Sequence, residues 1–272
     1  MKNVREPAVA GMFYPSSVKK LKDEIQLLLD AYKPEEKFQN IFGIVSPHAG
    51  YAYSGRTAAI AFNTLENKNY KTVVIIAPSH KEYFPGISIY SGDAYKTPLG
   101  EVALNKEMVQ KLTSDGNFIF EGLNGHRTEH AVEVQIPFLQ MMIKDFSIVP
   151  VVMGDQRKIF VDGLAQKLAE VVDEETLIIA SSDLSHFYSK TEADKLDSIV
   201  EKRIANFDYD GLQKDLEVGE CEACGGGAIV AMMKTANLIN KRKSKILSRT
   251  DSGDVTGDET EVVGYLSAVL YE

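Results

Sequence analysis

Two short apolar runs end in a histidine: FGIVSPH at residues 42–48 and TVVIIAPSH at residues 72–80. Both are rich in Val and Ile and closed by Pro and Ser, a pattern typical of buried parallel strands. A third run, LIIASSD at residues 177–183, ends in Asp183 and is followed by His186. Because the chemistry of an open α/β sheet lies beyond the carboxyl ends of its strands, we expect a functional site at these three ends.

The length and composition indicate one domain covering residues 1–272. A chain of 272 residues lies within the range of single α/β domains, and no linker, repeat or low-complexity segment divides it. Its 44% hydrophobic and 25% charged residues are ordinary for a soluble protein. The alternation of apolar runs with helical stripes predicts an α/β fold, with a mixed, largely parallel sheet flanked by helices.

Charge and hydropathy exclude several classes of protein. A net charge of −9 with scattered Lys and Arg argues against nucleic-acid binding. The one basic stretch, residues 241–245, is interpreted as the end of a helix, where cations complement the helix dipole. No apolar run is long enough to span a bilayer and residues 1–15 lack a secretory core, so we expect a cytoplasmic protein. Two cysteines make no disulfide framework.

Apolar periodicity places the remaining elements along the chain. The predicted helices cover residues 18–32, 54–65, 105–112, 129–143 (with a kink near Pro137), 160–172, 191–207 and 225–240. The predicted additional strands cover residues 87–90, 148–153 and 262–271.

The strand-end histidines predict a metal site. His48 and His80 supply two ligands, and the best third candidate is Cys224, which precedes a glycine-rich turn entering a helix. Two imidazoles with a thiolate suit copper, zinc or iron and exclude magnesium and calcium. The alternative for Cys224 is a small buried apolar residue. Cys221 forms a C-x-x-C with Cys224, but the acidic neighbours Glu220 and Glu222 argue against a thioredoxin-like dithiol.

Two further motifs each allow a catalytic and a structural interpretation. His186 is a candidate general acid or base, and Asp183 would orient it or bind the metal in place of Cys224. As structure, Asp183 begins a helix cap. The segment HRTEH at residues 126–130 matches a zinc-peptidase signature if it is helical, whereas Thr128 as an N-cap would leave His126 outside the helix.

The motifs taken together resemble the Memo family, whose bacterial and archaeal members are called protein B of the AmmeMemoRadiSam system. The matching segments run through nearly the whole chain and are REPAVAGMFYP (5–15), PHAGYAYSG (47–55), APSH (77–80), EHAVEVQIPFLQ (129–140), SSDLSHF (181–187), CG (224–225), SGDVTGD (252–258) and VGY (263–265).

The resemblance implies a fold similar to class III extradiol dioxygenases, which open catechol rings with non-haem Fe(II). Animal relatives are described as binding copper or iron through two histidines and a cysteine, which correspond to His48, His80 and Cys224, with Asp183 and His186 nearby. The dioxygenases use a carboxylate at the position of Cys224. The same relatives are described as adaptors in cell-motility signalling. The resemblance also assigns residues 129 and 130 to the family's own helix motif rather than to a peptidase.

Two functions follow as hypotheses. The first is a metal-dependent redox enzyme that uses iron or copper, with zinc as a further candidate, and His186 as its acid or base. The second is a non-catalytic metal-binding or adaptor module whose cleft holds a peptide. In either case we expect a small molecule or peptide in the metal cleft, with Tyr51 and Tyr53 as candidate lining residues. The resemblance implies AMMECR-type and radical SAM proteins as partners.

Overall fold

A nine-stranded mixed sheet lies at the centre of the computed structural model, which describes residues 2–116 and 118–272. A separate three-stranded sheet lies beside it. The strands are β1 (Val4–Arg5), β2 (Gly43–Ser46), β3 (Thr72–Pro78), β4 (Ile87–Tyr90), β5 (Ala94–Thr97), β6 (Gly100–Ala103), β7 (Ile119–Gly122), β8 (Ser147–Met153), β9 (Thr176–Ser181), β10 (His186–Tyr188), β11 (Lys243–Asp251) and β12 (Val262–Tyr271).

Parallel strands occupy the middle of the large sheet. Its order is β10-β12-β2-β9-β3-β8-β4-β7, with β11 paired to β12, and the small sheet has the order β1-β5-β6. Strands β2, β9, β3 and β8 are mutually parallel, whereas β12 is antiparallel to β2, and β4 is antiparallel to β8 but parallel to β7. The predicted mixed sheet is therefore confirmed. Because β9 lies between β2 and β3, the three strand ends that carry candidate site residues are adjacent.

Helices cover both faces of the sheet, as predicted. They are α1 (Val18–Ala31), α2 (Tyr51–Asn63), α3 (Lys106–Thr113), α4 (Ile136–Met142), α5 (Lys158–Val171), α6 (Lys190–Ala205), α7 (Tyr209–Val218), α8 (Gly226–Leu238) and α9 (Gly253–Thr256). None of the helices in the described part of the chain has both the length and the apolar character needed to cross a membrane.

The alternation of side chains along β3 separates two hydrophobic cores. Val73 and Ile75 face a core shared with α1, α2 and α4, whereas Val74 and Ile76 face the core of α3, α5, α6, α7 and α8. Successive side chains of a strand point to opposite faces, so a strand covered on both sides reads as continuously apolar. This explains why the runs ending in the two histidines lack a polar face.

The helix predicted over residues 129–143 is much shorter in the structure. A 3-10 turn at Glu133–Gln135 leads into α4, so Pro137 lies in the first turn of an α-helix. A proline there costs no intrahelical hydrogen bond and produces no kink, because the first N–H groups of a helix have no partner within it. The preceding residues form a loop, which leaves their backbone N–H groups available to other acceptors.

The basic stretch at residues 241–245 lies only in part at a helix end, where the backbone N–H of Lys241 donates to the carbonyl of Ala236. Helix α8 ends at Leu238, and Lys243 already begins β11. This strand pairs only with β12 among the described strands, so its lysines lie on an edge strand, where charge opposes pairing with other chains. Helices α7 and α9 and strands β1, β5, β6, β7, β10 and β11 have no counterpart among the predicted elements.

A buried arginine in β1 holds the loop before α4. The guanidinium of Arg5 donates to the backbone carbonyls of His126 and Glu129 and, at 2.7 Å, to the carboxylate of Glu133. Glu133 also accepts from the hydroxyl of Tyr14 and from two amides of the N-terminal segment. Every partner in this buried group is paired, which is the condition under which buried charge is tolerated.

Replacing Arg5 with Met should lower the free energy of unfolding by about 3 kcal/mol, because Glu133 would stay buried without its cation. Urea unfolding followed by circular dichroism measures the change. Lys2→Met is the matched control, since Lys2 pairs with Glu101 at an exposed position, and it should leave the urea midpoint unchanged. Equal effects of the two substitutions would contradict a structural role for the buried pair.

Candidate metal centre

The structure brings His48, His80 and Cys224 together, as the sequence predicts. One ligand atom from each of the three lies within 4.8 Å of the other two. Nε2 of His48 and Sγ of Cys224 are 3.1 Å apart. The two imidazole rings are 5.1 Å apart between centroids and nearly perpendicular, so they can direct nitrogens at a common point.

A single hydroxyl fixes the tautomer of His48. Ser181 donates its only proton to the carbonyl of Ala131 and accepts from the side-chain amide of Gln135. It can therefore only accept from Nδ1 of His48, 2.9 Å away, which must carry the proton. The unprotonated Nε2 then faces the Cys224 sulfur. Burial, reinforced by the neighbouring histidines, lowers the pKa of His48 well below its usual value, so the ring is neutral.

A carboxylate orients His80. Oε1 of Glu129 lies 2.9 Å from Nδ1 of His80, and Oε2 accepts the backbone N–H of the same residue at 2.6 Å. Burial would raise the pKa of Glu129, but these hydrogen bonds lower it to about 2. The ionised carboxylate accepts the Nδ1 proton and leaves Nε2 of His80 free, the arrangement in which carboxylates orient metal-binding histidines.

His80, Glu129 and His130 form a second group whose ligand atoms lie within 4.8 Å of one another. Its carboxylate, however, already accepts the backbone N–H groups of His130 and Ala131 as well as both donors of His80. The ring of His130 stacks on that of His80, with centroids 4.8 Å apart and an angle of 23°. We interpret this group as the support of His80, because a metal would have to displace several hydrogen bonds.

The side chain of Gln156 and the backbone N–H of Asp183 position the loop that carries Cys224. The amide of Gln156 bridges the loop, donating to the carbonyl of Cys224 at 2.7 Å and accepting from the N–H of Gly227 at 2.7 Å. The sulfur accepts the backbone N–H of Asp183 at 3.2 Å. Burial and the nearby Asp183 raise the pKa of the Cys224 thiol. Gly225 has no room for a side chain, because a Cβ atom there would collide with the carbonyl of Ser181.

Asp183 joins two of the strand ends. Its Oδ1 accepts the backbone N–H of His48 at 2.7 Å, and its Oδ2 is 3.9 Å from Nε2 of the same histidine. Burial raises the pKa of Asp183 to about 7. Asp183 is not a helix cap, because the next helix is α6, whose N-cap is Ser189. Its observed contacts hold the His48 loop in place.

His186 lies in β10 beside the metal-binding candidates but belongs to neither ligand group of the described residues. Burial lowers its pKa, so the ring is neutral at pH 7. The side chain lines two clefts, one of which also includes Cys224 and the other Asp183 and His130. It is therefore placed to contact a bound molecule rather than to hold the metal.

The zinc-peptidase interpretation of residues 126–130 is wrong. The segment is a loop, and His126 points into the core, where its Nδ1 is 2.7 Å from the hydroxyl of Tyr95 and its Nε2 donates to the carbonyl of Ser88. Burial lowers its pKa to about 3. Both nitrogens are engaged, so His126 has none to offer a metal together with His130.

Of Tyr51, Tyr53 and Cys221, only Tyr53 is exposed to solvent. Tyr51 is buried, and its hydroxyl donates to the carbonyl of Val134, so its predicted place in the cleft is wrong. Tyr53 is 44% exposed and does line a cleft. Cys221 is buried, and burial raises its pKa to about 12, which leaves it unreactive.

Two clefts flank the candidate metal centre. The first, here the aromatic cleft, has a volume of about 510 Å³ and is lined by Phe13, Tyr53, His130, Asp183, His186, Phe187, Asp258, Glu261, Tyr265 and their neighbours. The second, here the cysteine cleft, has a volume of about 570 Å³ and is lined by Gln156, Arg157, His186, Cys221, Cys224 and neighbouring residues. Molecules of moderate size can therefore approach the site from two sides.

Sequence reasoning missed the residues that orient the predicted ligands. In the sequence, Glu129, His130, Gln135 and Ser181 lie within the quoted motifs without a predicted orienting role, and Gln156 lies outside all of them. Ser181 had a signal, since it precedes Asp183 at a strand end. Gln156 had none, because its contact with Cys224 joins residues 68 positions apart.

Fold and site together define an α/β protein with a group of metal-binding side chains at the carboxyl edge of its sheet. The family model described as Memo-like protein matches residues 5–269, and the chain belongs to that family. It is 38% identical over 269 residues to a MEMO1 family protein of Thermoplasma volcanium, with 98% of each chain covered. It is 40% identical over 270 residues to one of Thermoplasma acidophilum, covering 97% of this chain and 98% of the relative.

A third relative and one solved structure extend the comparison. A MEMO1 family protein of Thermotoga petrophila is 37% identical over 281 residues, covering 98% of this chain and 99% of the relative. The solved structure is that of an uncharacterised protein from Escherichia coli K12, with a TM-score of 0.46 and 13% identity, covering 99% of this chain and 100% of that one.

The His80→Ala variant should lose most of the bound metal, whereas His126→Ala should retain it, because only His80 has a free nitrogen at the site. Elemental analysis of both purified variants after identical loading measures the metal per folded chain. Equal losses would require a second metal site that includes His126.

Glu129→Gln should weaken metal binding by about 10- to 100-fold, since it removes the charge that holds the Nδ1 proton of His80. Competition with a chelator of known affinity gives the change. Glu121→Gln, which neutralises an exposed carboxylate, is the control and should bind metal like the parent chain. An unchanged affinity in the Glu129 variant would show that the carboxylate does not tune His80.

Proposed function

We propose that this chain is a metal-dependent redox protein of the Memo family, in which His48, His80 and Cys224 bind iron or copper. One observation carries the proposal: the three donor atoms lie within 4.8 Å of one another, with each imidazole held by its own hydrogen-bond acceptor. A cluster formed only by packing would not need both rings to keep the same nitrogen unprotonated.

The donor set fits a transition metal. Two neutral imidazoles and a thiol that ionises on metal binding form a set of intermediate softness, which favours copper, iron or zinc over magnesium and calcium. Three protein donors leave coordination positions for another molecule, as in catalytic sites rather than closed structural ones. Bound iron or copper would supply one-electron redox chemistry and polarise a ligand oxygen.

The remaining residues of the site would position the substrate and accept its proton. His186 is neutral and lines the aromatic cleft, so it would accept a proton from a hydroxyl group of a molecule held there. Asp183 would hold the His48 loop through its backbone contact. The walls of the aromatic cleft would exclude water from one side of the bound molecule.

A second candidate function is a non-catalytic binding module. It is favoured by the exposed apolar side chains at the rim of the aromatic cleft, where Met12 is 72% and Phe187 is 70% exposed. Exposed apolar groups that border a cleft are common where proteins bind partners. Oxygen consumption with simple catechols, under iron and copper separately, distinguishes the two functions.

Cys224→Ser and Cys224→Asp should separate the functions of the thiolate. A hydroxyl is a poor ligand, so Ser should weaken Cu(I) binding by about 100-fold or more, beyond the losses seen for supporting residues. Asp restores an anionic donor and should retain Fe(II) while losing Cu(I). Competition with Cu(I) and Fe(II) chelators under anaerobic conditions measures both affinities.

The same three proteins also test the reaction. Catechol-dependent oxygen consumption by the parent chain would support redox catalysis, and consumption by the Asp variant alone would show that the parent chain does not catalyse this reaction. If all three proteins bind the same metals equally well, Cys224 is not a ligand. The candidate site would then reduce to the two histidines with Asp183.

A further inference from the structure

Aromatic side chains form the walls of the aromatic cleft. Phe13, Tyr53, Phe187 and Tyr265 all line it, and Phe13 packs on His130 with ring centroids 4.8 Å apart. Phe187 has a positive φ of 65° and a side chain that is 70% exposed. A bulky residue in that conformation carries backbone strain. Packing of the Phe187 ring does not explain this strain, because the ring is exposed to solvent.

The charged groups of the aromatic cleft are all acidic. Its lining, within the described residues, includes the carboxyl groups of Asp183, Asp258 and Glu261 but no Lys or Arg. Hydrogen bonds from Thr260 lower the pKa of Asp258, so that carboxylate is ionised at neutral pH. Neither Asp258 nor Glu261 forms an ion pair with any residue of the described chain.

Cations close to the loop of these two carboxylates are already paired elsewhere, beginning with Arg249, the nearest in sequence, which contacts Asp194 and Glu201. Lys190 contacts the carboxylates of Asp251 and Asp254, and Arg56 also contacts Asp254. A ligand with its own positive charge would therefore meet two uncompensated carboxylates, whereas an anionic ligand would meet repulsion. The aromatic faces favour the same choice, because a cation over an aromatic ring is attracted to its quadrupole.

We propose that the aromatic cleft binds an aromatic amine in its protonated, cationic form. The ring would pack between the aromatic walls, and the ammonium group would lie toward Asp258 and Glu261. This names the substrate class of the proposed redox site and rests on that proposed function only for the claim that a metal lies beside the cleft, next to Asp183 and His130 of its lining. Binding of the amine itself needs no metal.

Three probes of nearly equal size test the charge selection: phenethylamine, 2-phenylethanol and phenylacetate. Isothermal titration calorimetry with the full chain at low salt, after chelator treatment, should give the order amine, alcohol, acid. We expect the amine to bind about tenfold more tightly than the acid, and the difference to shrink as salt screens the carboxylates. The same titrations after loading with Fe(II) should keep the order.

The double variant Asp258→Asn/Glu261→Gln should reduce the preference for the amine to about threefold or less while leaving the affinity for the alcohol unchanged. The control Asp23→Asn/Glu66→Gln removes the same charge at exposed positions outside the cleft and should keep the full preference. Tyr53→Ala should weaken all three probes together, since it removes part of a wall.

Equal or tighter binding of phenylacetate, an unchanged preference in the cleft double variant, or no binding of any probe would each overturn the proposal. These outcomes are independent of the proposed function. Selection of the amine by a chain that fails to bind iron or copper would refute only the metal centre, and metal binding without amine selection would refute only the substrate class.

Discussion

The parallel alignment of β2, β9 and β3 is the constraint on which the candidate centre depends. Ser46 of β2 is in register with Ser181 of β9, and Ile76 of β3 with Ala180 of β9. This register brings three chain segments out of the sheet at one edge, so that two histidines flank an aspartate. The backbone hydrogen bonds of the sheet fix the relative positions of these three strand ends, and therefore the spacing of the side chains that follow them.

Two polar networks convert this spacing into a specific geometry. Glu129 and Ser181 each accept a hydrogen bond from one imidazole. Both side chains also bond the backbone of Ala131, Glu129 by accepting its N–H and Ser181 by donating to its carbonyl. Arg5 fixes the same segment from the N-terminal side. Because these groups are buried and fully paired, removing one leaves the others without partners, and the orientation of both rings is coupled to the N-terminal strand.

The parts of this site that depend on local sequence could be predicted, whereas the parts that depend on contacts between residues distant in sequence could not. Strand ends are local features, so His48, His80 and Asp183 could be placed by apolar runs alone, and the glycines after Cys224 marked a turn. The apolar periodicity of the loop that carries Glu129 is helical and predicts a helix there. The real conformation of this loop depends on Arg5, 124 positions away, and no local pattern reports such a contact.

His186 is a wall of both the aromatic cleft and the cysteine cleft. Two molecules that each touch this ring would therefore not bind independently. Any shift of the ring that favours one occupant changes the binding free energy of the other, and thermodynamic linkage requires the effect to be equal in both directions. Two occupants that each shift this imidazole would therefore be energetically coupled through it.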